Sequence, residues 1–298
     1  MKGNGKFTRL SAGISSSLQE TLPLSMKKEN ILALAFALMS LTACNTNERQ
    51  TTEATQQTQE QLTFRNKNIS RQSANCAQRP DACGSVSIAY IVATGGPEEL
   101  RNNLNSTLQK HLLALLLDNN PDADTTARSN AAEIVATTFI EQYETYAKEE
   151  TSEIPRPWDL KVEVKPIYQT QKVITIRTDT YSYTGGAHGL SVVSLRSFDQ
   201  TGQQISRQQM LTDTTQLKKL AEQEIRKLRE IPATQTLQEG GFFIEGNDLP
   251  LPQNAALTDK GLLLYYNPYE IASYADGPTE MLFTYQQLGE ILKPAYRP

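Results

Sequence analysis

The sequence predicts an α+β fold, with helices packed on antiparallel sheet in two closely associated subdomains. Two observations carry this. Leucines recur every three or four residues over 98–117, the spacing of an amphipathic helix. From Trp158 onward apolar and polar residues alternate, so the period falls to two. The alternating segments are joined by connections too short for parallel crossovers and read as an antiparallel meander.

Taken in order, 61–70 is a strand in which Leu62 and Phe64 alternate with polar residues. A second strand, 85–93, places Val86, Ile88 and Tyr90 on one face. Gly95-Gly96-Pro97 ends it. Pro97 with Glu98 and Glu99 starts a helix, because proline suits the first turn and acids favour its positive end. That helix, 98–117, carries Leu100, Leu104, Leu108, Leu112 and Leu115 until Asn119-Asn120-Pro121 breaks it. A second helix at 125–149 has Ile134, Phe139, Tyr143 and Tyr146 as its apolar residues. Strands follow at 159–169, 172–183 and 188–199, then a helix at 212–228 with Leu217, Leu220, Ile225 and Leu228. Short strands fit 242–245, 255–258, 262–266 and 279–284, and a last helical turn fits 285–292. The expected division is a small subdomain over 61–157 and a second domain over 158–298.

The N-terminal part reads as an export signal. Residues 1–25 are polar and read as a misassigned start. Met26 is followed by Lys27 and Lys28, an apolar run over 31–41, and Leu41-Thr42-Ala43-Cys44. A spanning helix needs about 20 residues, so this run is too short to stay in a bilayer. Leu-Thr-Ala-Cys resembles the lipobox of bacterial lipoproteins, in which the cysteine thiol receives diacylglycerol and the chain is cut before it. The expectation is a signal peptide at 26–43, a lipid on Cys44 as membrane anchor, and a disordered Thr- and Gln-rich tether at 44–60. Asn45, rather than Asp, follows the cysteine, which favours the outer membrane in a Gram-negative host.

The formal net charge is −4 and basic residues are interspersed with acids, which argues against nucleic acid. Cys76 and Cys83 would lie in an oxidising compartment and are expected to form a disulfide. Their spacing is not Cys-x-x-Cys and no histidine lies near, so neither redox catalysis nor zinc is expected.

Two segments stand out: Tyr181-Ser182-Tyr183-Thr184-Gly185-Gly186-Ala187-His188-Gly189, and the run from Tyr265 to Pro278 that contains Asn267-Pro268-Tyr269-Glu270 and Tyr274-Ala275-Asp276-Gly277. Gly185 and Gly186 permit a tight reversal, Asn267-Pro268 is a turn, and Gly277 resets the chain for the next strand. His188 either bonds structurally across to the Asn-Pro-Tyr segment or lies with Tyr181, Tyr183 and Tyr269 at a groove rim, where tyrosines stack on sugars or anchor a protein. The candidate ligand contacts are Tyr181, Tyr183, His188, Asn267, Tyr269, Tyr274 and Asp276. Gly185, Gly186, Pro268 and Gly277 are expected to be structural.

Catalysis is not expected. The chain has two histidines; His111 sits in the leucine-rich helix, and His188 alone cannot hold a metal. A base role for His188 with Asp276 or Glu270, and nucleophile roles for Ser182 or Ser273, are conceivable, but no Gly-x-Ser-x-Gly motif or calcium loop is present. No cofactor is expected.

The paired motifs resemble a family known as a domain of unknown function, DUF3298. It forms the C-terminal part of the extracytoplasmic region of RsiV, an anti-sigma factor that senses lysozyme, and accompanies the catalytic domain of the peptidoglycan deacetylase PdaC. The resemblance runs from about Trp158 to the C-terminus, with a weaker DUF4163-like likeness over 61–149. It implies recognition of an envelope component, peptidoglycan or a lysozyme-like protein. Sigma-factor control and deacetylation are not implied, since the segments that supply them are missing from this sequence. The function expected is therefore binding at the cell envelope without catalysis, with a scaffolding lipoprotein or, less favoured, a cell-wall hydrolase as alternatives.

Overall fold

The computed structural model describes residues 61–117, 122–150 and 155–297. The leading segment 1–25, the signal 26–43, Cys44 and the tether 44–60 lie outside the described residues.

Five strands form one sheet in sequence order: β1 (Phe64–Gln72), β2 (Gly84–Ala93), β3 (Trp158–Gln169), β4 (Ile174–Thr184) and β5 (Leu190–Phe198). All neighbours are antiparallel except β2 and β3, which pair in parallel from Gly84 opposite Trp158. The large sheet is therefore mixed rather than antiparallel throughout. The cause is the long connection between β2 and β3, whose two helices supply the crossover that a parallel pair requires. The sheet also runs without a break across position 157/158.

Those helices, α1 (Glu98–Leu113) and α2 (Ala131–Glu149), cover one face. Leu100, Leu104, Leu108 and Leu112 of α1 and Val135, Ala136 and Phe139 of α2 pack on Val86, Ile88, Leu160, Val162 and Ile176. α1 stops at Leu113 and a 3-10 turn, Ala114–Leu116, finishes the segment predicted as continuous helix. α2 starts at Ala131, later than the predicted 125, because 125–130 offers only Ala127 for burial. The opposite face of the sheet is polar, as a period of two demands, and carries Ser85, Ser87, Asp159, Lys161, Glu163, Asp179, Tyr181 and Tyr183.

The remaining chain builds α3 (Arg207–Met210), α4 (Thr214–Leu228), α5 (Tyr285–Leu288) and an antiparallel sheet of β6 (Asn254–Leu257), β7 (Gly261–Tyr266) and β8 (Thr279–Thr284). Leu217, Ala221 and Ile225 of α4 pack with Leu262, Leu264, Tyr266 and Phe283 in a second core. α3 was not predicted, although Ser206 and Gln209 form a capping box that marks its start. The predicted strand 242–245 is instead a series of turns, because Gly241 (φ 94°) and Gly246 (φ 54°) bend the chain on both sides.

Two asparagines join the sheets. The outward backbone of β5 would otherwise be a bare edge. Val193 donates its N–H to Asn267 Oδ1 (2.7 Å) and accepts at its carbonyl from Asn267 Nδ2 (3.0 Å) and Asn254 Nδ2 (2.9 Å). Leu195 N–H donates to Asn254 Oδ1 (2.9 Å), and Leu257 N–H to Ser197 Oγ (3.0 Å). Between these clips Val193 and Leu195 meet Ala256, Leu263 and Tyr265 in a small third core.

Candidate functional site

The β4–β5 hairpin and the loops after β7 meet at one end of the large sheet. Gly185 turns the hairpin with a φ of 85°, and the Arg156 guanidinium donates to its carbonyl (2.6 Å). Gly186 is less constrained, since a side chain there would meet only the His188 carbonyl, at 4.0 Å. Gly189 is fixed by space: an added Cβ would lie 2.4 Å from the Tyr181 ring. Across from it, the 267–270 turn closes when Glu270 N–H donates to the Asn267 carbonyl (3.1 Å) and Glu270 Oε2 accepts from Asn267 N–H (2.9 Å). Ser273 and Asp276 then cap a 3-10 turn, Tyr274–Asp276, and Gly277 leaves it at a φ of 68°.

These loops bring three of the candidate side chains into one aromatic stack, and Tyr181 and Tyr183 lie on the adjoining stretch of β4. The His188 ring stacks on Tyr274, with centroids 3.8 Å apart and 19° between planes. Tyr269 lies 6.5 Å from His188 and 5.7 Å from Tyr274. The Gly189 carbonyl accepts from the Tyr274 hydroxyl (2.9 Å) and from His188 Nδ1 (3.0 Å). A carbonyl only accepts, so in the neutral ring Nδ1 carries the proton and Nε2 accepts from the Tyr269 hydroxyl (3.3 Å). Tyr181 packs on the other side of Gly189, and Tyr183 follows it two residues along the same face of β4. Lys161 lies 5.6 Å over the Tyr181 ring and is paired with Asp159, whose hydrogen bond raises the lysine pKa.

Tyr269 is 54% exposed and has a φ of 69°. A bulky residue in the left-handed region costs on the order of 1–3 kcal/mol, and such strain clusters where side chains are presented for use. Phe243, which the sequence reading did not single out, is 61% exposed and donates its N–H to the Ile271 carbonyl (2.8 Å), beside the same loop.

Two candidates are placed differently from the stack. Asn267 spends its side chain on the Val193 backbone, and Asp276 accepts from both Ser273 N–H and Ser273 Oγ. That cap lowers the Asp276 carboxyl below its ordinary range, the Ser273 hydroxyl contributing most. The Ser273 hydroxyl thus points to Asp276 and not to His188, and Glu270 is held by Asn267. Cys76 and Cys83 are joined in a disulfide, and their loop borders a shallow groove with Trp158, Tyr181 and Tyr183. Among the described residues no group of three or more His, Cys, Asp or Glu side chains is arranged to hold a metal ion, and no helix is long and apolar enough to cross a membrane.

Residues 208–286 match the family described as "Protein of unknown function (DUF3298)", and residues 77–191 match the family described as "Deacetylase PdaC". No curated protein matches the chain. A DUF3298-family crystal structure from Bacteroides fragilis aligns with a TM-score of 0.63 at 17% identity, covering 80% of this chain and 96% of that one. One from Pseudomonas aeruginosa aligns with a TM-score of 0.55 at 19% identity, covering 80% and 97%. At such identities the likeness speaks for the fold, a mixed arrangement of helices with a five-stranded and a three-stranded sheet. The family matches and the shared fold fit a DUF3298-family domain, with a PdaC-like region ahead of it.

Proposed function

We propose that the protein is an exported lipoprotein, anchored through Cys44, whose domain binds the glycan of peptidoglycan without catalysis. The observation that carries this reading is the stack of Tyr269, His188 and half-buried Tyr274, with Tyr181 and Tyr183 near it on the polar sheet face. Flat rings edged by hydroxyl and imidazole groups suit a pyranose, which has an apolar face and a polar rim. On the sheet face beside Tyr181 the charges are paired among themselves, Lys161 with Asp159 and Lys165 with Glu163 and Asp179, which suits a neutral ligand.

One observation favours a second partner, a lysozyme-like protein. Exposed Phe243 is bonded through its backbone to Ile271, two residues after Tyr269, and exposed Glu245 adds a negative charge that would meet a basic protein.

The test is retention of the full-length protein on purified peptidoglycan and on immobilised lysozyme, side by side, with Tyr269→Ala, His188→Ala and Phe243→Ala. Retention on peptidoglycan lost in folded Tyr269→Ala and His188→Ala supports the glycan reading. Retention on lysozyme lost in Phe243→Ala shifts it to the protein partner. Failure on both targets rejects both and leaves a scaffolding role. Metabolic labelling with a fatty-acid analogue, compared between wild type and Cys44→Ala, tests the anchor.

A further inference from the structure

We infer that a second ligand site, for the acetamido group of a neutral N-acetylated sugar, lies at the opposite end of the five-stranded sheet. It shares no residue with the aromatic stack and does not rest on the function proposed for it. A cavity of about 380 Å³ opens there, between the β3–β4 turn, the start of α1, the turn after β5 and the segment leading into β1. This is the lower part of the size range of small-ligand pockets, about 300–1,000 Å³.

The floor of the cavity is apolar and the rim is amide. Leu62, Leu100 and Ile174 form the floor and are at most 7% exposed. Gln61, Gln169, Gln171 and Gln200 surround it, and among the described residues that line it none is ionisable. An ionic ligand would lose hydration there without meeting an opposite charge, so the lining selects against it. A secondary amide presents one N–H and one carbonyl, and a glutamine carboxamide offers the complement of both. The methyl of an acetyl group fits the leucine and isoleucine floor, and sugar hydroxyls can engage the remaining carboxamides.

The walls are held in place independently of any ligand. Thr170 Oγ1 accepts from Lys172 N–H (3.2 Å) and Val173 N–H (3.0 Å), which fixes the β3–β4 turn. Asp199 Oδ1 accepts from Thr201 N–H (2.8 Å) and Gln203 N–H (3.0 Å), which fixes the turn bearing Gln200. Gly202 packs so tightly on α1 that an added Cβ would lie 2.6 Å from the Leu100 carbonyl oxygen. Gln169 Nε2 donates to the Leu62 carbonyl (3.0 Å), which holds that side chain at the rim with its own oxygen available as an acceptor. Preorganised walls lower the entropic cost of binding.

Saturation-transfer NMR on the full-length protein tests the site, with N-acetylglucosamine, glucose and an N-acetylalanine amide as probes. The expected result is transfer strongest at the acetyl methyl of N-acetylglucosamine and weak transfer to glucose. Gln171→Ala combined with Gln200→Ala, both exposed positions, should weaken binding at least fivefold without changing the melting temperature. Absence of transfer to the acetyl methyl, or equal transfer to glucose, overturns the inference. So does stronger binding of the alanine amide, or a signal abolished by Tyr269→Ala and untouched by the glutamine pair. The last outcome would place the sugar on the aromatic stack, so the two sites fail separately.

Discussion

The asparagine clips between the two sheets allow a quantitative test. In Asn267→Ala the Val193 carbonyl keeps its bond from Asn254, so the loss falls on Val193 N–H, which has no other acceptor among the described residues. Val193 is 6% exposed, and an orphaned buried donor costs about 1–3 kcal/mol. A middle value of about 2 kcal/mol lowers the melting temperature of a domain this size by about 4–8 °C. Asn254→Ala orphans Leu195 N–H in the same way, and because Asn254 is itself 7% exposed it also leaves a void, so its cost is larger. Only the double variant strips the Val193 carbonyl of both amide donors. The two substitutions should therefore be more than additive, by roughly 1–2 kcal/mol. Denaturant melts followed by circular dichroism on the two single variants and the double variant measure this directly. Strict additivity would refute the shared-carbonyl account. An unchanged melting point in Asn267→Ala, with loss of peptidoglycan retention, would return Asn267 to the ligand contacts.

Other consequences are independent of the clips. Replacing Cys76 and Cys83 by serine removes a crosslink with a sequence separation of seven, and the chain-entropy estimate of about 2.5 kcal/mol corresponds to a fall of about 5–10 °C in a calorimetric scan. Gly189→Ala drives a methyl into the Tyr181 ring, and overpacking of this kind costs about 1–3 kcal/mol, visible as a lower melting point together with weakened ligand retention. Burial, and then the neighbouring Arg196, push the His111 pKa down to about 4. The unfolded chain, with an ordinary value of about 6.5, takes up that proton first, so the contribution is complete above pH ~6.5 and is lost as pH falls toward ~4. At most about 3 kcal/mol is involved, and His111→Gln, which keeps an acceptor for the Arg196 guanidinium, should flatten stability over that window in pH-dependent melts.

What the sequence disclosed followed the strength of its local signals. The Leu100–Leu112 series and the alternation from Trp158 onward placed helix and strands within a few residues, because each face buries enough apolar surface to fix its period. The parallel pairing of β2 with β3 was not legible, since the hydrophobic pattern of β2 is the same whichever way its neighbour runs. The false strand at 242–245 arose from one buried and one exposed phenylalanine, which mimic alternation over too short a run to outweigh the flanking glycines. The paired motifs pointed to one place, and the aromatic residues do meet there, but motif residues of similar polarity divide between two tasks. Asn267 faces the bare edge of β5 and is consumed by it, whereas Tyr269, two residues later, is turned outward by its left-handed backbone.

That division bears on how the domain can present a ligand surface. β4 has eleven residues, so its ends are separated by about 33 Å at ~3.3 Å per residue. Gln61, where the described chain begins, lies at the end that holds the β3–β4 turn, and the His188–Tyr274 stack lies at the end that holds the β4–β5 hairpin. The clips at Asn254 and Asn267 fasten the small sheet to β5 along this length, so the loop bearing Tyr269 is carried on the same rigid frame as His188 rather than on a separate lobe. A ring stack assembled from two sheets keeps its geometry only while the sheets cannot slide. The two asparagines therefore bear on the proposed recognition surface only through the frame they hold, since both amides are spent on the β5 backbone.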